Sequence, residues 1–178
     1  MNTSQSATEQ PRLEAPVPAV ENKISMVVFS GDLDKLLASL IISTGAAATG
    51  MKVSLFFTFW GTAALRDPKK TASGKNLISR MFGFMLPKGA GKVKLSKMNM
   101  GGMGTAMMKT LMKRKKVASL EEMLALAGTM GVEICICDMS MDLMGFKREE
   151  MIDYPGMKVC GVATFLAEAQ TSRIQLFI

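Results

Sequence analysis

The residues most able to do chemistry lie in one short stretch, residues 132–145, which reads VEICICDMSMDLMG. Its first half is a run of apolar and β-branched residues, which predicts a buried strand ending at Cys137. The residues after Cys137 are typical of the beginning of a helix: Asp138, Ser140 and the methionines and leucines around them. Ligands of open α/β sheets bind where strands end. The pattern therefore predicts Cys137 as the reactive residue, with Asp138 and Ser140 in support.

The predicted position of Cys137 favours ionisation of its thiol. The first N–H groups of a helix have no partner within the helix, and the helix dipole is positive there, so a thiolate is stabilised. The Asp138 carboxylate opposes this effect if it faces the sulfur. The alternative is structural, because cysteine is often buried and packs as a small apolar residue. Position alone does not decide between the two.

The chain has two other cysteines, Cys135 and Cys160. Cys135 points to the same side of the predicted strand as Cys137, two residues earlier. A disulfide between these two is disfavoured, because Cα atoms two residues apart in a strand lie near the upper limit of ~6.8 Å. Both Cys135 and Cys160 are interpreted as core residues. Cys160 is the candidate second thiol, because it ends a predicted strand before a helix.

Composition removes several classes of enzyme. The chain has no histidine, so Ser–His and Cys–His catalytic pairs and histidine-ligated zinc are excluded. The composition indicates no cofactor and no metal for the thiol site. Three cysteines without a disulfide framework favour a reducing compartment. Residues 1–22 resemble no signal peptide, and no run of 18 apolar residues occurs, so we expect a cytoplasmic protein.

Hydrophobic patterning predicts a single α/β domain over residues 23–178, after a disordered tail at 1–22. The first helix, capped by Asp32, is expected to bury one face, formed by Leu33, Leu36, Leu37, Leu40 and Ile41. Strand and helix alternate with short connections, which indicates three layers around a mostly parallel five-stranded sheet. Strands are predicted at 24–30, 51–59, 132–137, 157–160 and 173–178. Helices are predicted at 32–49, 119–130, 138–145 and 161–170.

An insertion at about 66–118 interrupts this alternation, with helices expected near 76–86 and 105–116 around a Gly-rich bend. Residues 68–120 hold thirteen Lys and Arg and no acid, whereas the other nine basic and fifteen acidic residues sum to −6. The insertion could contact a membrane surface or a protein partner, or pack its methionines against a neighbouring subunit. It could also bind Cu(I) through thioethers. Few aromatic residues and no known module argue against nucleic acid.

Loops after the first two predicted strands are expected at the same edge of the sheet as Cys137. The loop after the first strand contains Ser30, Gly31 and Asp32. The loop after the second contains Thr58, Trp60 and Gly61. These residues are candidates for a rim that shapes access to the thiol. The alternative is that they serve only to form turns.

The stretch from Cys137 to Gly145 resembles the C-x-M-S-M-D-x-M-G motif of the DsrE/DsrF-like family, in its longer branch, often labelled peroxiredoxin-like. Similarity extends to the opening KISMVVFSGDLDKLLASLIISTGAAATGMKVSLFFTFWG and to GVATFLAEA at 161–169, so it covers residues 22–178. The resemblance implies a flavodoxin-like fold and a homo-oligomer. Cys137 matches the motif cysteine. Cys135 and Cys160 match no motif position.

Members of this family carry sulfur as a cysteine persulfide, typically between rhodanese-like donors and TusA-like carriers. The resemblance therefore implies a sulfur carrier, and at most a sulfurtransferase. No Pro-x-x-x-Thr-x-x-Cys arrangement is present, so thiol peroxidase activity is not expected. The competing hypothesis is an adaptor without sulfur chemistry, held by its basic Met-rich insertion to a partner or to the inner face of the membrane.

Overall fold

The computed structural model describes residues 19–74 and 76–178, except for the side chain of Ile78. The predicted tail falls almost entirely outside this range. The five strands are β1 (Glu21–Val28), β2 (Lys52–Phe57), β3 (Glu133–Cys137), β4 (Lys158–Cys160) and β5 (Ser172–Phe177). The α-helices are α1 (Leu33–Ala48), α2 (Leu77–Met85), α3 (Met103–Arg114), α4 (Leu120–Thr129), α5 (Asp138–Met144) and α6 (Val162–Ala169). β1 begins at Glu21, two residues before the predicted start of the domain at Lys23.

The strands form one sheet in the order β4-β3-β2-β1-β5, and every pairing is parallel. The predicted α/β class and five-stranded sheet are confirmed. Each crossover between parallel strands passes over a face of the sheet, which explains why strands this apolar are covered on both sides. The carboxyl ends of all five strands consequently share one edge.

Side chains of β3 alternate between two apolar clusters. Ile134 and Ile136 belong to the larger cluster, which includes residues of α1 and α4. Cys135 and Cys137 belong to the smaller one, which includes residues of α6. This alternation follows from the two-residue period of a strand. The cysteines are thus placed on the α6 side of the sheet.

Helix α1 departs from its predicted burial in one respect. Leu33, Leu36 and Leu40 are buried and Leu37 is partly buried, but Ile41 is 55% exposed. The prediction for Ile41 was therefore wrong, because the buried stripe of α1 is narrower than its apolar sequence. Asp32 occupies the N-cap position but makes no capping bond, and its carboxylate instead accepts a hydrogen bond from Ser30.

The insertion contains α2 and α3 near the predicted positions, with a bend at Gly101 and Gly102, both at positive φ. Arg66 fixes the end of α2 to the domain. Its guanidinium donates to the carbonyl of Gly83 (3.0 Å), lies 3.8 Å from Glu150 and stacks 4.6 Å from the ring centroid of Phe146. Burial lowers the pKa of Arg66, and the charge of Glu150 opposes that shift.

Helix α4 starts with the predicted capping box. The Ser119 hydroxyl accepts from the N–H of Glu122, and the Glu122 carboxylate accepts from the N–H of Ser119. Among the described helices, none is both long and apolar enough to cross a membrane.

Candidate functional site

Cys137 lies where β3 ends and α5 begins, as the sequence predicts. It is the N-cap residue of α5, with extended backbone angles (φ −63°, ψ 119°), and its side chain makes no capping hydrogen bond. The residue is only 3% exposed. Its surroundings are apolar, because the same cluster contains Phe56 of β2 and Phe165 of α6, whose rings stack 4.7 Å apart.

All three cysteines of the chain gather on this face. Cys135 is joined to Cys160 as a disulfide, with their Cα atoms 6.0 Å apart, within the normal range. Cys137 pairs in register with Cys160 across β3 and β4, so these two side chains also point to the same side. Cys137 is the free cysteine. Within one domain, the fold thus places a free thiol beside a disulfide.

The pairing of Cys135 with Cys160 corrects the interpretation of both as simple core residues. Cys135 is buried as expected, but it is bonded, and Cys160 is half-buried. The sequence did contain a signal for this contact. Consecutive parallel strands are usually neighbours, so the thiols of β3 and β4 could be expected side by side. The register of the three-residue β4 decides which two meet.

The two supporting residues of α5 have different environments. Asp138 is exposed, and one of its carboxylate oxygens accepts from the N–H of Met139 (2.6 Å). Ser140 is fully buried; its hydroxyl lies 2.8 Å from that of Thr58 and accepts from the N–H of Phe59 (3.0 Å). Ser140 therefore links α5 to the loop after β2 and positions the start of the helix that follows Cys137.

Gly31 and Gly61 allow the loops after β1 and β2 to approach each other. A Cβ atom at Gly31 would lie 2.6 Å from the carbonyl oxygen of Trp60, and one at Gly61 would lie 2.5 Å from that of Val28. Larger residues would push the loops apart. These positions therefore need glycine for the close packing of the two loops.

Trp60 and Gly31 line a cleft of about 690 Å³ at the carboxyl edge of the sheet. The end of α2 and the residues that follow it form the opposite wall, which includes Lys88, Lys92 and Lys94. Sequence reasoning did not identify these lysines. Cys137 is not among the lining residues of this cleft. The proposed role of the rim in access to Cys137 stays a prediction.

Within the described ranges, no three His, Cys, Asp or Glu side chains are grouped so that they could hold a metal ion. A free thiol beside a disulfide can take part in thiolate attack on a sulfur atom.

The fold and the cysteine cluster define a three-layer parallel α/β protein with a thiol at a strand end. The DsrE/DsrF/DrsH-like family matches residues 20–177, and the chain belongs to that family. It is 42% identical over 156 residues to the uncharacterised protein YrkE of Bacillus subtilis strain 168, covering 88% of this chain and 96% of YrkE. It is 35% identical over 162 residues to the sulfur carrier protein DsrE2 of Allochromatium vinosum, covering 89% of this chain and 99% of DsrE2.

A crystal structure of the YchN protein from Escherichia coli has the same fold. It superposes with a TM-score of 0.54, covering 88% of this chain and 98% of YchN, at 13% sequence identity. The predicted family and fold class are both confirmed.

Proposed function

We propose that this protein is a sulfur carrier that accepts and donates sulfane sulfur as a persulfide on Cys137. The observation that carries the proposal is the state of the three cysteines. Cys135 and Cys160 are bonded to each other, which leaves the thiol at the predicted motif position free. Membership of the family and similarity to a protein named as a sulfur carrier support the same assignment.

The loading step needs only a thiolate and a donor persulfide. The Cys137 thiolate attacks the outer sulfur of the donor, the donor's S–S bond breaks, and the donor leaves as a thiolate. No net oxidation occurs, because one S–S bond forms as another breaks. Unloading is the same step in reverse, with an acceptor thiolate as nucleophile. A rhodanese-like donor and a TusA-like acceptor have the required chemistry.

The burial of Cys137 sets a condition on this exchange. Because the side chain is 3% exposed, a donor reaches it only when its cover shifts. Helix α6 contributes Phe165 and Ala169 to the cluster around the cysteines, and this helix has only eight residues. We therefore assign access to movement of α6 when a partner protein docks. Exchange with free small molecules should be slower than exchange with a protein donor.

The second candidate is an adaptor that acts through the insertion and has no sulfur chemistry. One observation favours it: α2 and α3 expose apolar side chains next to basic ones, including Phe84 and Met107. The two functions are compatible in one molecule, so each needs its own test.

The test of sulfur binding is the intact mass of the reduced, desalted protein after incubation with a persulfide donor. We expect a gain of one sulfur atom per chain. Cys137→Ser should abolish the gain, whereas Cys135→Ser and Cys160→Ser should keep it and serve as matched controls. Loss of the gain only in Cys160→Ser would transfer the role to that residue. No gain in the wild-type protein would refute sulfur carriage.

A further inference from the structure

One surface of the protein combines exposed apolar side chains with positive charge. We call it the α2 surface, and its apolar part consists of Trp60, Leu77, Met81, Phe84 and Met85. The four residues of α2 recur at positions i, i+4, i+7 and i+8, so they lie on one face of the helix. Phe84 is 93% exposed and Leu77 is 82% exposed. This face is therefore left uncovered by residues 19–74 and 76–178, the ranges that the structure describes.

The α2 surface is held in a defined orientation rather than on a free arm. Arg66, which is buried, donates to the carbonyl of Gly83 immediately before Phe84. Asn76 caps the other end of the helix by accepting from the N–H of Ser79. The cap defines where the helix begins, and the Arg66 bond attaches its last turn to the domain, so Phe84 and Met85 project from the surface at a fixed place.

The charge around this surface is positive. Phe84, Met85 and Trp60 line the same cleft as Lys88, Lys92 and Lys94. The acidic residue of that cleft, Asp32, lies 3.1 Å from Lys35, which offsets its charge. No acidic residue occurs between Asp67 and Glu121 in the sequence.

We propose that the α2 surface docks on an anionic lipid bilayer. A helix with Phe, Leu and Met on one face and Lys or Arg beside it has the composition of helices that lie in the membrane interface. Tryptophan favours the same region, because its ring is apolar and its N–H can face water. Apolar insertion and attraction of lysines to acidic headgroups act together here, each lysine contributing independently. The inference goes beyond sulfur carriage and does not depend on it.

The test uses the full chain, whose single tryptophan is Trp60. Its fluorescence therefore reports on this surface alone. We expect a shift to shorter wavelength, and co-sedimentation of the protein, with vesicles of phosphatidylcholine and phosphatidylglycerol. Vesicles of phosphatidylcholine alone should produce neither effect. Added salt should weaken the binding, because it screens the attraction between charges.

Variants separate the two contributions. Phe84→Ser should weaken vesicle binding about tenfold, since it removes a large apolar side chain from the interface. Lys88→Glu and Lys92→Glu should each weaken it about fivefold or more. Leu166→Ser and Arg173→Glu are matched controls, because they change an exposed apolar residue and an exposed cation outside the α2 surface. Both should bind like wild type, and thermal unfolding checks that every variant is folded.

Several results would overturn the proposal. These are the absence of binding to anionic vesicles, equal binding to both kinds of vesicle, or unchanged binding by Phe84→Ser. Light scattering gives a further contradicting result. If Phe84→Ser forms a smaller particle than wild type, the α2 surface binds a second copy of this chain. Binding to an acidic protein without binding to vesicles would assign it to a protein partner.

Discussion

Cys137 combines a position that is common for binding sites with buried surroundings. It lies at the end of a strand, where ligands commonly bind, yet it is surrounded by apolar side chains. Burial protects a persulfide from water and from stray thiols, which is useful in a carrier and costly in an enzyme that must turn over quickly. The Cys135–Cys160 disulfide lies on the same face of the sheet.

The state of the cysteines predicts how many thiols the protein offers. Denatured without reductant, the chain should react with one equivalent of a thiol reagent such as DTNB, through Cys137. After reduction and desalting it should react with three. Cys137→Ser should react with no reagent before reduction and with two equivalents after it. Cys135→Ser should react with two equivalents in both states, because the substitution leaves Cys160 without its disulfide partner. Three equivalents in the unreduced wild-type protein would contradict the disulfide.

At the scale of elements, the position of Cys137 could be predicted because the sequence pattern changes there. β-Branched residues before it and a helix-forming sequence after it indicate a junction whatever the rest of the chain does. The partner of Cys135 could not be predicted with the same certainty, since it depends on the register of β4 against β3. A shift of one residue would turn the Cys160 side chain to the other face.

The exposure of the apolar face of α2 could not be predicted from the sequence either. Periodic apolar residues usually predict a face that is buried in the domain, and Leu77, Met81 and Phe84 have that period. In the structure this face is exposed, and Arg66 attaches the last turn of the helix to the domain through the carbonyl of Gly83. Ile41 is another apolar residue that the periodicity predicted to be buried and the structure exposes. Its apolar side chain falls at the edge of the buried stripe of α1.

Helix α6, which covers the cysteines, is tied across the sheet by Glu168. This carboxylate accepts from Lys158 of β4 (2.8 Å) and from Ser54 of β2 (3.2 Å). Burial raises the pKa of Glu168, but the hydrogen bond and charge of Lys158, with Ser54 and Lys23, outweigh burial and lower it from its usual 4.5. The charged form is therefore favoured by folding.

Because the pKa of Glu168 is lower in the folded state, its contribution is complete above about pH 4.5 and is lost as the pH falls through the folded value. Glu168→Gln should reduce the free energy of unfolding at pH 7 by up to about 1 kcal/mol. The difference from wild type should shrink in acid, as urea denaturation at the two pH values can measure. Glu133→Gln is the control, because Glu133 lies farther from Lys158 (3.6 Å) and should have a smaller effect. A difference that grows in acid would contradict the assignment.

At the scale of the whole molecule, the cysteines and the positive charge meet at one edge of the sheet. The cysteines pack on the α6 side, with Cys137 at the carboxyl end of β3, and the cleft that contains Trp60 and the lysines of the insertion lies at the same edge. The uneven charge could be read from the sequence, since residues 68–120 carry a charge of +13 and the rest −6, but the place of the insertion at this edge could not.

The most direct measurement is a peptide map of the wild-type protein, which is reduced and desalted, exposed to a persulfide donor, alkylated, and then digested without reductant. Trypsin cuts after Lys116 and Lys147, so one peptide, residues 117–147, contains Cys135 and Cys137, and another, residues 159–173, contains Cys160. We expect the added sulfur on peptide 117–147, with fragment ions that assign it to Cys137. Added sulfur on peptide 159–173, or on Cys135, would contradict the assignment of Cys137 as the carrier.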